Sequence, residues 1–510
     1  MSRSQPRSLS QQSSLLSETA SAAALAGAVL FAVLAAFFLS GVILRRGATP
    51  DLPWLEAAGH WILDNGRLPA SDPFSWTAYE RPWVLYQWGF ETAIAAVERA
   101  AGHAGLAVVF AWAALAIYLL APIHAASARA PAPLAVAVAA AGLVIVSVNL
   151  SIRPMIATSA GLLVQHLLIG RLRERRIGPL AACLAIVLLY AVWANLHTGF
   201  AIGLLALLLA LVGDSAERRF LPADVATWAP PLPPGRLAAL LGFATFGSAM
   251  TPYGPALHVY LVEMAGDAAI NARIDELRGA DFALLQFRLF LVLGILLIAT
   301  SMRGRRVLRP ADLLTCAVAM VATLMAARFV VWAALYFALL LPGALARAWP
   351  AVNLVAPRID RPLILTLAAV SAMAPPLLAW RGLADPLGAD CARLERAIRA
   401  YEAERLSSDR LLTDPVSGSC MISIEPDIRV FIDTRFDFYG GEFSTSALDL
   451  LALKRGWRAQ LDHWRIDAAV LDRRRPLAEA LAIDPHFLIL YRDDEAVVVR
   501  RLHKGTDAPS

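Results

Sequence analysis

Polar residues are scarce over the first three quarters of the chain, and long apolar runs fill the space between them. A hydrocarbon layer about 30 Å thick takes roughly 20 helical residues to cross. Eleven runs approach that length, at 21–44, 105–126, 134–150, 155–170, 177–196, 198–213, 237–252, 284–302, 311–327, 329–346 and 363–380. They predict a polytopic α-helical membrane protein of about 11 transmembrane helices. Residues 134–170 exceed one crossing, and Pro154 after Arg153 disfavours helix through the break, so two spans joined by a turn are expected there. The run at 21–44 is longer than a signal-peptide core and has no basic group directly against it, so it reads as a retained span.

Beyond residue 384 the pattern changes. Residues 386–406 place apolar side chains at three-to-four spacing, as an amphipathic helix does. Short β-type runs follow at 410–413, 419–424, 428–432, 467–471, 486–491 and 495–499, with helical stretches near 446–463 and 475–482. This predicts a C-terminal α/β domain large enough to hold its own core. The segment 45–100 is too long for a turn and predicts short helices near 54–66 and 85–100 around a loop at 69–77. The expected organisation is a disordered cytoplasmic tail at 1–20, a membrane bundle at 21–384 that includes the outer loop 45–100, a soluble domain at 385–503 and a flexible end at 504–510.

Composition sharpens the division. The chain is 58% hydrophobic and 17% charged, which excludes a disordered chain and a purely soluble enzyme. Residues 385–510 hold 18 basic and 22 acidic side chains, whereas residues 1–384 hold 28 and 19, so the net charge of +5 is loop arginine and not a nucleic-acid surface. Arginines gather on alternate loops, at Arg129, Arg171 to Arg176, Arg218 and Arg219, Arg303 to Arg309 and Arg347, which predicts those loops to be cytoplasmic. Only Arg45 and Arg46 dissent. The loop 45–100, the turns at Arg153, 194–199 and Arg328, the segment 251–283 and the tail then face outward, in a bacterial inner membrane toward the periplasm. In that oxidising compartment Cys391 and Cys420 are either a disulfide or two buried thiols. Cys183 and Cys316 lie in spans as packing residues, and no metal-type Cys or His spacing is present.

The polar groups that remain near the apolar runs collect on the outward side. The outer loop carries Asp51, Asp72, Gln87, Trp88 and Glu91, and the outward turns carry Arg153, Asn195, His197, Tyr253 and Arg328. Arg153 and Arg328 are each a lone charge between apolar runs, where a guanidinium either meets an anion or snorkels to the headgroups. His197 is a site residue or a helix-end imidazole, while His60, His124 and His166 read as surface, helix-end and packed residues. In the tail, the loop from Asp433 to Gly441 is a functional strand end, or Asp433 and Arg435 pair to fix it.

Several of these stretches resemble bacterial membrane proteins related to the GT-C glycosyltransferases. They are Pro50-Asp51-Leu52, Gly59 to Gly66, Asp72 to Thr77, Pro82 to Glu91, Arg153-Pro154, Trp193 to Phe200, Pro252-Tyr253-Gly254 and Val430 to Asp433 with Arg435, Asp437 and Tyr439. The resemblance implies a sugar donor on a polyprenyl phosphate, a glycan or lipid acceptor, and an acidic catalyst in the first outer loop, here Asp51. Relatives often carry a second acid and a histidine nearby, where this chain has Thr49 and Leu55; a divalent metal ion is the one cofactor left open. Asp51 is then the expected base, with Arg153, Arg328 and His197 on the phosphate and Trp88, Trp54, Gln87 and Glu91 on the sugar. The competing expectations are a non-catalytic component that binds or moves a polyprenyl-linked glycan, and an assembly subunit whose tail binds a partner. No internal repeat favours a secondary transporter, and no phosphate-binding Gly-x-x-x-x-Gly-Lys loop supports ATP use.

Overall fold

The computed structural model describes residues 9–46, 49–127, 129–221, 230–266, 278–303, 307–350, 361–382, 388–406 and 410–502. Each of the eleven apolar runs coincides with a helix. Among the described residues, eight helices are long and apolar enough to cross a membrane by length and composition. Ala132–Val146, Pro234–Ser248 and Pro310–Met325 fall short, at 15, 15 and 16 residues. Proline opens several of these helices, where its missing N–H leaves no bond unmade and its fixed φ suits the first turn.

Burial sorts the bundle into centre and rim. The helix Val330–Ala348 is enclosed almost along its length, with Val330 to Ala344 forming an unbroken buried run. The helix Pro179–Leu196 instead exposes Leu180, Leu184, Leu188 and Val192 at every fourth position while burying Ala182, Ile186, Tyr190 and Trp193. A helix apolar on both faces needs lipid on one of them. Leu9–Arg46 packs on Ala132–Val146 and Arg361–Trp380.

Two segments near the N-terminus differ from expectation. Helix begins at Leu9, so residues 9–20 are the first turns of a 38-residue helix and not an unstructured lead; residues 1–8 lie outside the described set. The helix expected at 85–100 is continuous with the following span: it starts at Trp88 and bends at Gly102, whose φ of 67° only glycine adopts freely. Leu52–Asn65 forms as expected.

The tail builds a four-stranded sheet from β1 (Leu411–Thr413), β2 (Ala468–Asp472), β3 (Phe487–Arg492) and β4 (Ala496–Arg501), in the order β1-β2-β4-β3. β1 and β2 are parallel, and the other pairs antiparallel. Residues 419–424, expected as a strand, belong to the helix Pro415–Ile424. Its start is set by Pro415 and by the Asp414 carboxylate, which accepts from the N–H groups of Val416 and Ser417. A disulfide joins Cys420 of this helix to Cys391 of Gly388–Glu404. The stretch 446–463 is two helices, Gly441–Leu451 and Trp457–His463, because Leu453 (φ 57°) and Gly456 (φ 88°) break it. The stretch 428–432 joins no strand of the sheet; Val430 pairs with Ser75 of the outer loop instead.

That pairing fixes the architecture at one end of the bundle. Trp76 donates to the Val430 carbonyl and Val430 to the Phe74 carbonyl, each at 3.0 Å. The Thr77 hydroxyl donates to the Phe431 carbonyl at 2.6 Å and the Trp76 indole to the Leu411 carbonyl at 2.9 Å. Trp76, Phe431, Phe443 and Trp464 close into one aromatic cluster across the join. Outer loop and tail therefore sit on the same end of the bundle.

Candidate functional site

Asp51 stands at the start of the helix Leu52–Asn65, where an aspartate ordinarily caps the first turn. Its side chain makes no capping bond. The carboxylate turns to Arg153, 2.8 Å away, with both side chains about a quarter exposed (27% and 22%). Arg153 lies in the turn before the helix Met155–Arg173, and its Nε also donates to the Thr49 hydroxyl at 3.3 Å. One guanidinium thus joins a carboxylate and a hydroxyl from the far end of the first span.

Thr49 also lines a cleft of about 820 Å³. Phe37, Phe38, Gly41, Val42 and Leu378 form its apolar wall, and Thr49, Ser147, Asn149, Ser151 and Gln286 form its polar end, with Arg45 beside them. Asn149 donates to the Ala327 carbonyl at 2.7 Å and so ties this end to the turn that carries Arg328. Among the described residues Arg328 makes no hydrogen bond or ion pair. Arg45, Asn149, Ser151 and Gln286, which line this cleft, were not singled out in the sequence as candidates. Their only signal is position, at the ends of apolar runs.

His197 follows the helix Pro179–Leu196 and is held by Nδ1, which accepts from the Thr158 hydroxyl at 2.6 Å and the Gly199 N–H at 3.1 Å. The neutral ring then carries its proton on Nε2. A Cβ at residue 199 would stand 1.8 Å from the Thr158 hydroxyl, so only glycine fits this turn. Burial, and secondarily the Arg328 cation, push the imidazole down to about 3.

Most of the other expected site residues are bonded within the protein. The Trp88 indole donates to Asn195 Oδ1 at 2.7 Å, and the Asn195 amide donates to the carbonyls of Ala191 and Met250, leaving neither side chain's polar group open. The Tyr253 hydroxyl accepts from the Leu85 N–H at 2.8 Å. Asp72 is buried, accepting from Phe74, Ser75 and Arg435. Gln87 and Glu91 are buried too, and neither Glu91 oxygen is in a hydrogen bond of ordinary geometry. Among the described residues, these six are not brought together with the Asp51–Arg153 pair by any direct bond.

The metal left open by the sequence finds no matching donor set. Among the described residues no group of three His, Cys, Asp or Glu side chains is placed to hold an ion. Asp51 faces a guanidinium, so a fixed cation already stands where a metal would.

No protein-family model and no curated protein matches the sequence. Solved structures do match. The apo oligosaccharyltransferase of Archaeoglobus fulgidus superposes with a TM-score of 0.54 at 13% identity, covering 87% of this chain and 69% of that one. The same archaeal enzyme, AglB, in complex with an inhibitory peptide and a dolichol-phosphate gives 0.54 at 13% identity over 88% and 69%. ArnT from Cupriavidus metallidurans in the apo state gives 0.45 at 14% identity over 94% and 98%. At such identities the likeness to the oligosaccharyltransferase is one of fold alone: a bundle of helices long and apolar enough to cross a membrane, with a small C-terminal sheet domain.

Proposed function

We propose that this protein transfers a sugar from a polyprenyl-phosphate donor to a glycan or lipid acceptor on the outer face of a bacterial inner membrane, with Asp51 as the base. The carrying observation is the cleft that has an apolar wall at one end and, at the other, Thr49 on the guanidinium that holds Asp51. An isoprenoid chain suits Phe37, Phe38, Val42 and Leu378, and its phosphate then comes to rest near Arg45, Arg153 and Arg328. Guanidinium groups form paired, charge-assisted bonds to phosphate oxygens. Arg153 divides its donors between Asp51 and the arriving phosphate, while Arg328 meets the anion with no carboxylate to leave. Asp51 takes the acceptor hydroxyl proton as that oxygen attacks the sugar C1, and the C1–O bond to phosphate breaks with the electron pair leaving on the phosphate. His197, neutral, offers Nε2–H as a donor.

Loss of a positioned base costs about 10²- to 10⁴-fold in turnover. Asp51→Asn is expected to lose transfer on that scale while keeping its melting temperature and carrier binding. Turnover equal to wild type removes Asp51 from the base role. The Asp51–Arg153 pair also fits a second reading, a non-catalytic carrier-binding component, since a paired carboxylate needs no proton to accept. Binding of a polyprenyl-phosphate sugar with no turnover in the wild type, across donors and acceptors, favours that reading.

A further inference from the structure

We propose that the buried cluster Asp72–Arg435–Asp433 positions the turn that carries Asp51, so that the tail domain sets the geometry of the site. The inference concerns the site proposed above and rests on that reading for its kinetic consequence, though not for its structural one.

Arg435 is 1% exposed. Its Nη1 donates to Asp72 Oδ1 at 2.8 Å, and its Nε and Nη2 donate to the two oxygens of Asp433 at 2.9 and 2.6 Å. The Tyr439 hydroxyl donates to Asp433 at 2.8 Å, and Ser75 donates to Asp72 through its N–H and its hydroxyl. Phe74, Trp83 and Phe438 surround the guanidinium, the nearest ring centre being that of Trp83 at 4.7 Å. Burial alone would disfavour the cation, yet the two carboxylates hold it well above its ordinary range. A cation so enclosed is a fixed point, and it joins residues 363 positions apart in the chain.

Two routes lead from this point to Asp51. The adjacent Thr434 donates its N–H to Ser419 Oγ at 3.2 Å, and its hydroxyl donates to the Pro50 carbonyl at 3.4 Å. The other route runs through Trp83, whose ring lies 6.5 Å from that of Trp54 in the first turn after Asp51. The helix Pro415–Ile424, which carries Ser419, packs along Leu52–Asn65. The Asp51 turn is therefore held by Arg153 from the bundle, by Thr434 from the tail, and by Trp83 of the outer loop, which packs on the Arg435 guanidinium. Arg435 and Thr434 touch no reacting atom in this scheme and act as positioning residues.

The test uses the full chain in nanodiscs and hydrogen exchange of the peptide 49–55, whose amides at Leu52 and Leu55 bond Thr49 and Asp51 carbonyls. Thr434→Val is expected to speed exchange there by about 2- to 10-fold, the worth of one hydrogen bond, with β2 and β4 unchanged. Thr434→Ser, which keeps the hydroxyl, restores protection, and Arg435→Gln gives a larger loss across both 49–55 and 69–86. Unchanged exchange at 49–55 in Thr434→Val and Arg435→Gln, with 69–86 released in the latter, overturns the proposal. Should Arg435→Gln fail to fold, Thr434→Val decides alone. In a turnover assay Thr434→Val lowers kcat and leaves KM for the carrier unchanged. A wild type without turnover defeats the proposed function, while the exchange result still judges the positioning role.

Discussion

Arg435 and His197 show how far a single residue's surroundings decide its part. The run Asp433-Thr434-Arg435 looked in the sequence like either a site or a local pair, and its local half was legible because an aspartate two residues from an arginine readily reaches it. The third member, Asp72, was not legible, since nothing in composition or spacing links positions 363 apart. Removing a buried cation strands two carboxylates, at a cost of about 3–5 kcal/mol. Arg435→Met is therefore expected to lower the thermal stability of the detergent-solubilised protein sharply, and Asp72→Asn added to it to recover part of the loss. A melting temperature equal to wild type contradicts the buried triad. His197 makes a prediction in pH. Its folded imidazole stays neutral down to about 3, whereas the unfolded one protonates near 6.5, so the unfolded state binds more protons between those values. This contribution is complete above about pH 6.5 and is lost as pH falls toward 3. Between pH 7 and 4 the melting temperature of wild type should drop more than that of His197→Asn, whose Oδ1 stands in for Nδ1 and can still accept from Thr158 and Gly199; parallel curves contradict the assignment.

At the scale of elements, apolar length was enough to find the eight described helices that are long and apolar enough to cross a membrane, because lipid leaves a chain few other ways to satisfy its backbone. The tail was harder. The stretch 419–424 is β-like by residue type, yet Asp414 and Pro415 start a helix ahead of it, and the local cap outweighs strand propensity. The pairing of Val430 with Ser75 could not be read, as a single bridge across a gap of some 350 residues leaves no periodic trace. The disulfide between Cys391 and Cys420 closes 29 residues and ties two helices of the tail. Chain entropy puts its worth at about 3–4 kcal/mol. Reduction, or Cys391→Ser with Cys420→Ser, should lower the stability of the tail by that order in denaturant titration, and an unchanged midpoint argues against the bond. The cleft makes a prediction at this scale too. A Cβ at Gly41 meets only Leu378, at 4.0 Å, so a larger side chain there enters the cleft without disturbing the helices. Gly41→Leu should displace two or so isoprenoid carbons at about 0.8 kcal/mol each and weaken polyprenyl-phosphate binding about tenfold. Unaltered affinity places the carrier elsewhere.

For the whole molecule, the division visible in the charge distribution becomes two solvents and one join. The bundle faces lipid along Leu180, Leu184, Leu188 and Val192, and the outer loop and tail fold together above it. Asp51, Arg153, Arg328 and His197 stood out in the sequence as candidates because so few charges interrupt the apolar runs. Trp88, Asn195, Asp72 and Tyr253 are bonded within the protein, which the sequence did not reveal, because residues that brace a loop and residues that bind a sugar have the same chemistry until their partners are seen. The proposal that this end of the bundle faces outward rests on the loop arginines. A phosphatase fused after residue 384 should be active in the periplasm, and an inactive fusion reverses the site's exposure. The central claim is that the carboxylate at the end of the cleft drives sugar transfer. It is tested most directly by following labelled sugar from a set of polyprenyl-phosphate donors in proteoliposomes of wild type and Asp51→Asn. The account predicts turnover by wild type and a loss of about 10²-fold or more in Asp51→Asn with carrier binding retained. Equal turnover by the two proteins, or carrier binding with no turnover by either, contradicts it.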